Sequence, residues 1–89
     1  MSDQDETLFE FPCSFPIKVF GTNHDDFEIA VIEIIRRHCE HLAEQAISTK
    51  ESKGGKYLSM TVTIEAHSKD QLDNIYRELS SHTLVKMAL

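Results

Sequence analysis

The chain has 89 residues, enough for one domain with a single core and too few for a second. Nine basic and fifteen acidic side chains give a net charge of -6, which disfavours nucleic acid and anionic membranes as partners. The acidic start predicts a flexible tail over residues 1–10 and one domain over residues 11–89. No segment resembles a signal peptide or reaches membrane-spanning length. Cys13 and Cys39 are too sparse for a disulfide framework and indicate free thiols in a reducing cytoplasm.

The first predicted strand runs from Ser14 to Gly21 and has two distinct faces. The face expected to pack against helices carries Phe15, Ile17 and Val19, and the opposite face carries Pro16, Lys18 and Phe20. Gly21 is expected to break the strand. Asn23 or Asp25 is the predicted cap of the helix that follows. Its apolar stripe comprises Phe27, Val31, Ile34, Ile35 and His38, and Arg36, Arg37 and His38 are expected to close it.

Two runs of alternating residues then predict a hairpin joined by the turn Ser52–Lys56, whose glycines need positive φ. The first run lies within Leu42–Lys50, has a mixed composition and is expected at a sheet edge. The second run, Tyr57–Ala66, is clearer. Its predicted core face carries Leu58, Met60, Val62, Ile64 and Ala66, and its wet face carries Tyr57, Ser59, Thr61, Thr63 and Glu65.

Ser68 and Gln71 have the spacing of a capping box, which predicts the start of a second helix. Its buried stripe is expected to contain Leu72, Ile75, Tyr76 and Leu79, and Ser80-Ser81 should end it. A last strand is predicted over Thr83–Leu89, with Val85, Met87 and Leu89 on its inner face. The order β-α-β-β-α-β predicts an α+β ferredoxin-like sandwich: a four-stranded antiparallel sheet with two helices on one face.

Such a sheet leaves its other face open, and this fold serves many unrelated functions. Lys18, Lys53, Lys56 and Lys86 suggest a basic patch on or near the open face, suited to a small anionic ligand or an acidic partner. The turn Ser52–Lys56 could also cradle an anion through its N–H groups. Phe20 and Tyr57 leave single-stranded RNA binding as an alternative, which the net acidity opposes.

The segment His38-Cys39-Glu40-His41 is the one local group of metal-ligand types. Three or four ligands at defined spacing are absent, so helix capping and packing are favoured over a metal site or a catalytic thiol. Nothing matches a nucleophile elbow, a phosphate-binding loop or a dinucleotide fingerprint. We therefore predict no catalytic residue, no metal and no cofactor.

Several short segments also carry a family resemblance: Glu10-Phe11-Pro12, Lys18-Val19-Phe20-Gly21, Arg37-His38, Ser52-Lys53-Gly54 and Val85-Lys86-Met87-Ala88-Leu89. Through these, from about Leu8 to Leu89, the chain resembles the YbeD-like family of small bacterial proteins. The resemblance implies a ferredoxin-like fold similar to ACT regulatory domains, which bind small molecules at paired interfaces. It also implies a ligand beside the loop after strand one, here Gly21, Thr22, Asn23, His24 and Asp25. This loop lacks the aspartate-proline-glycine turn usual in ACT domains.

The sequence thus favours a non-enzymatic cytoplasmic regulatory or adaptor domain, expected to form a homodimer because edge strands expose unpaired backbone groups. It would sense a small metabolite or bind a partner protein. RNA binding, or metal or thiol chemistry at His38, Cys39 and His41, remains the alternative. The candidate ligand- or partner-binding residues are Lys18, Phe20, Gly21, Thr22, Asn23, Lys53, Gly54, Lys56, Tyr57 and Lys86.

Overall fold

The computed structural model describes residues 10–89, so the predicted acidic tail lies outside the described residues except for Glu10. Its elements are β1 (Cys13–Thr22), α1 (Asp25–Arg36), a 3-10 helix (Glu44–Ala46), β2 (Ile47–Glu51), β3 (Tyr57–Ala66), α2 (Lys69–Ser81) and β4 (Val85–Ala88). The strands form one antiparallel sheet in the order β2-β3-β1-β4. The predicted ferredoxin-like α+β fold is confirmed.

The core lies between the sheet and the two helices. Alternate residues of β1 and β3 meet one apolar stripe from each helix, because strand side chains alternate and helix side chains recur every three or four positions. Phe15 and Tyr76, predicted to be inside, are only half-buried at its margin. The buried cluster consists of Ile17, Val19, Phe27, Val31, Ile34, Ile35, Leu58, Met60, Val62, Ile64, Ala66, Leu72, Ile75, Leu79 and Val85.

Two predictions for the first half of the chain are wrong. The strand does not break at Gly21 but continues to Thr22, which lies opposite Tyr57 on β3. The cap of α1 is His24, whose Nδ1 accepts a hydrogen bond from the Asp26 N–H at 3.0 Å. The imidazole thus does what a short oxygen-bearing side chain usually does at this position. Acidic residues in the first turn then face the positive end of the helix dipole, as predicted.

The second strand lies at the sheet edge as predicted, but it is shorter than expected and begins at Ile47. Residues Glu44–Ala46 form a 3-10 helix instead. Alanine, glutamate and glutamine are depleted in strands, so this part of the segment has little to hold it on the sheet. The first helix is also shorter than predicted: it ends at Arg36 instead of reaching His38, which lies half-buried just after it.

The inner face predicted for β4 is wrong beyond its first residue. Val85 is buried, whereas Met87 is 52% and Leu89 is 59% exposed. Val85 lies opposite Gly21 and Met87 lies opposite Phe20, so Lys86 is an extra residue without a partner on β1. Such a β-bulge shifts the alternation by one position. Ala88, opposite Val19, takes the inner place instead.

Candidate functional site

The sheet face opposite the helices gathers several of the predicted binding residues. Phe20 lies opposite Met87 on β4, and residues directly opposite each other in an antiparallel pair share a face. Lys18 lies opposite Leu89, because their main chains exchange two hydrogen bonds of 3.0 and 2.7 Å. Lys18, Phe20, Met87 and Leu89 therefore form a contiguous group, called here the open-face cluster. It combines exposed apolar surface with one positive charge.

The open face continues from this cluster across β3 to the opposite edge. Tyr57 is 49% exposed and lies opposite Thr22, which puts it diagonally beside Phe20. Ser59 lies between Phe20 on β1 and Lys50 on β2. The predicted residues Lys18, Phe20, Thr22 and Tyr57 thus share one surface with Lys50, which was not among the predicted binding residues.

Met87, Leu89 and Lys50 are the open-face residues that sequence reasoning missed. Strict alternation put the first two in the core, and nothing in the sequence marks the bulge at Lys86 that turns them outward. A signal for Lys50 does exist. Once β2 is taken to begin at Ile47, alternation places Lys50 on the open face.

Gly21, predicted near a ligand, is explained by packing. A Cβ atom here would lie 2.1 Å from the Phe27 ring and 2.2 Å from the Leu84 carbonyl oxygen. Both distances are far inside van der Waals contact, and Phe27 is fully buried. Only glycine allows the sheet and the first helix to approach this closely.

The loop after β1 is fastened to the β2–β3 turn. The Asn23 side chain donates from Nδ2 to the Gly55 carbonyl at 2.7 Å, and the Asn23 N–H donates to the Lys56 carbonyl at 3.0 Å. The loop after β1 and the β2–β3 turn, which were predicted separately as ligand sites, are therefore held together at one joint between Asn23 and the turn. Asn23 and His24 both use their side chains for hydrogen bonds within the chain.

The β2–β3 turn has the predicted backbone, with φ of 93° at Gly54 and 74° at Gly55. The Gly55 N–H donates to the Ser52 carbonyl at 2.8 Å, and the Tyr57 N–H donates to Ser52 Oγ at 3.1 Å. Because these two N–H groups are engaged inside the turn, the case for an anion cradle weakens. Lys53 and Lys56 are exposed at this end of the sheet.

The four predicted lysines do not converge on one small ligand. Lys18 is four positions along β1 from Thr22, which is roughly 13 Å at the usual strand rise. Lys53 and Lys56 lie beyond Thr22, in the turn, and Lys86 is at the bulge. The lysines are instead spread from the interior strand β1 to the hairpin turn and the β4 edge.

The predicted metal-ligand segment is engaged with the second helix. His38 Nε2 lies 2.6 Å from Glu78 Oε2, and Arg37 Nη1 donates to Glu78 Oε1 at 2.5 Å. The hydrogen bond from His38, together with the Arg37 charge, lowers the pKa of Glu78. Among residues 10–89, no three histidine, cysteine or acidic side chains are grouped to hold a metal. The contact joins the end of α1 to α2.

Cys39 lies in a setting that opposes nucleophilic chemistry. Burial raises the pKa of its thiol, against a smaller opposite effect of a hydrogen bond from Gln71, and a reactive cysteine needs a lowered pKa. Gln71 Nε2 is 3.6 Å from Cys39 Sγ and also donates to the His38 carbonyl at 2.7 Å. Both cysteines of the chain are free and half-buried.

Gln71 also modifies the predicted capping box. Ser68 caps α2 as expected, since its Oγ accepts from the Gln71 N–H at 3.1 Å. The glutamine Oε1, however, accepts from the N–H of His67, one residue before the cap, at 2.6 Å. In the described part of the chain, neither helix has the length and apolar character required to cross a bilayer.

Residues 6–89 match the model of a family described as "Protein of unknown function (DUF493)". The chain belongs to the DUF493 family. A UPF0250 protein of Chromobacterium violaceum is 48% identical over 89 residues, covering 100% of both chains. A UPF0250 protein of Neisseria gonorrhoeae is 45% identical over 91 residues, again covering 100% of both. The YbeD-like resemblance is thereby confirmed.

The fold of this DUF493 chain also has a solved counterpart. The solution structure of protein HP0495 from H. pylori superposes with a TM-score of 0.70 at 19% sequence identity, covering 91% of this chain and 85% of that one. At that identity the likeness extends to the fold alone.

Proposed function

We propose that this DUF493 protein is a non-enzymatic regulatory or adaptor domain that binds a partner through its open sheet face. The observation that carries the proposal is the open-face cluster, in which Met87 and Leu89 are more than half exposed. They adjoin Phe20 and Lys18 on a sheet face that neither α-helix of residues 10–89 covers. Contiguous exposed apolar side chains on a small domain are typical of interaction sites.

The test replaces both exposed apolar side chains of β4. The tagged full chain is used to capture partners from cell extract, which are quantified by mass spectrometry, alongside the Met87→Asp/Leu89→Asp variant. Ile29→Asp is the matched control, because Ile29 is 57% exposed on α1, away from the open face. We expect one or more partners to be lost with the double variant and retained with the control. Equal capture by all three chains would contradict the proposal.

The proposal includes a homodimer built along an edge strand. Strands β2 and β4 lie at the two edges of the sheet, and an edge strand presents backbone groups on which a second chain can pair. Equilibrium sedimentation of the full chain at micromolar concentration is expected to give a dimer. A monomer at that concentration would remove this part of the proposal.

A regulatory domain of this kind could also respond to a small anionic metabolite at the joint between Asn23 and the turn. A ligand that binds only the native state stabilises it by RT ln(1 + L/Kd), where L is the free ligand concentration, and so raises the melting temperature. A thermal-shift screen against anionic metabolites should then find a stabiliser whose effect grows with its concentration. A screen without one would leave protein binding as the sole regulatory route.

Single-stranded RNA binding is the second candidate function. It is favoured by one observation, the diagonal placement of Tyr57 beside Phe20 on the open face, where aromatic rings can stack bases. It predicts a gel shift with oligo-uridine at low salt that is lost in Tyr57→Ser. The metal or thiol alternative has less support, because His38 is already bonded to Glu78 and the pKa of Cys39 is raised.

A further inference from the structure

Charge is divided between the two layers of the domain. Helix α1 carries four acidic residues and one basic residue, and α2 carries three acidic and two basic residues. Five of the six lysines of the chain lie instead on the strands or the hairpin turn: Lys18, Lys50, Lys53, Lys56 and Lys86. An acidic protein thus presents a basic sheet side.

Few carboxylates offset these lysines on the open face. Glu65 lies opposite Ser14, at the far end of β1 from the hairpin turn. Glu51 lies opposite Leu58, a buried core residue, and so belongs to the inward-facing register of β2. Between these two ends the open face has Lys18 and Lys50 with no acidic residue in the rows between them.

We infer that the occupant of the open face is an acidic protein surface with apolar side chains at its centre, an inference that rests on the proposed function. One row across the open face runs from Lys50 through Ser59 and Phe20 to Met87. The neighbouring row brings Lys18 beside Leu89. Carboxylates of the partner would pair with the two lysines. Its apolar side chains would cover Met87 and Leu89, which excludes water and strengthens those ion pairs.

Charge argues against a second copy of this face as the occupant. A two-fold pairing of two open faces would bring Lys18 and Lys50 against identical basic faces, and like charges across an interface cost affinity. The edge-paired homodimer of the proposed function leaves the open face accessible. RNA is less suited as well, because the net charge of -6 repels a phosphate backbone, and Met87 and Leu89, unlike Phe20 and Tyr57, offer bases no ring on which to stack.

The test is an amide-shift titration of the isotope-labelled full chain by nuclear magnetic resonance. The probe is a short peptide of aspartate, glutamate, leucine and phenylalanine, and the control peptide has lysine in place of every acid. We expect the acidic peptide alone to shift amides of β1, β3 and β4 around the open-face cluster. Its affinity should fall about tenfold or more in Lys18→Glu/Lys50→Glu, and fall with added salt.

Lys69→Glu/Arg77→Glu is the matched double reversal, because both side chains are exposed on α2. Their described contacts, with Asp73 and Asn74, are exposed and contribute little. This double reversal should leave the peptide affinity unchanged. The inference is overturned if the lysine-bearing peptide binds equally well, if the shifts fall on the helices, or if only oligo-uridine binds. A further result is that partners are captured from extract by Lys18→Glu/Lys50→Glu as well as by the wild type, but lost with Met87→Asp/Leu89→Asp. That result would contradict an acidic partner and still support the proposed function.

Discussion

Replacing Gly21 by alanine tests whether this residue serves packing or a ligand. The new Cβ atom would lie 2.1 Å from the Phe27 ring and 2.2 Å from the Leu84 carbonyl oxygen. Neither neighbour can yield cheaply, because the ring is fully buried and the oxygen accepts the Thr22 N–H bond of 3.1 Å. Overpacking costs about 1 to 3 kcal/mol, and a clash on two rigid sides places this variant at the upper end, about 3 kcal/mol. For a domain of this size that lowers the melting temperature by about 12 to 24 °C.

Urea denaturation followed by circular dichroism measures the free energy of unfolding of the wild type and both variants. Gly54→Ala is the matched control: its φ is 93° and no atom lies within 4 Å of the added Cβ, so only backbone strain of about 1 to 2 kcal/mol is expected. If Gly21→Ala is no more destabilising than Gly54→Ala, the packing argument is refuted. That result would favour a ligand-binding role for Gly21 instead.

Three further outcomes are expected. Because the pKa of Glu78 is lowered in the fold, its stabilising contribution is present above the ordinary glutamate pKa of about 4.3 and is lost as pH falls through the lowered value. In Glu78→Gln, the free energy of unfolding measured in urea should therefore fall less steeply between about pH 5 and pH 2 than in the wild type. An unchanged slope would contradict this. Because burial raises the pKa of Cys39, iodoacetamide should modify this thiol more slowly at pH 7 than it modifies a cysteine in a short peptide. Mass spectrometry measures both rates, and equal rates would contradict the raised pKa. In urea denaturation, Met87→Ala should change the free energy of unfolding by less than about 0.5 kcal/mol, whereas Val85→Ala should cost about 1.5 to 3 kcal/mol. Because strict alternation would bury both side chains, a cost at Met87 as large as that at Val85 would disprove the bulge.

The parts of the fold that sequence predicts well are those where local signals agree. Strand β3 has the predicted bounds, Tyr57–Ala66, because ten residues alternate without interruption between a buried and a wet face. Helix α2 begins where its serine cap requires. The topology then follows from the order of elements, since few arrangements of one sheet and two helices bury these faces.

The errors arise where tertiary contacts outweigh local preference. The cap of α1 goes to His24 because Asn23 is held by the hairpin turn, a contact 32 residues away that spacing does not reveal. Glu78 meets His38 across 40 residues, so the sequence favoured capping and packing over a metal site for this histidine but could not identify its partner. Nearby residues alone cannot report such pairs.

The candidate site was predictable in part. Alternation placed Lys18, Phe20 and Tyr57 on the open face from sequence, and the register agrees. Met87 and Leu89, the most exposed apolar members of the open-face cluster, were assigned to the core because one unpaired residue inverts every position after it. The surface therefore looked more polar in sequence than it is in the fold.

Lys86 has no partner on β1, so the pairing of β1 with β4 does not require it. Losing one residue ordinarily turns the rest of a strand inside out, yet without Lys86 the partners Val85–Gly21, Met87–Phe20 and Ala88–Val19 would follow in strict succession. This strand can therefore shorten by one amino acid while its outward and inward side chains stay as they are. Chains that differ in length at this one site can keep the same open sheet face.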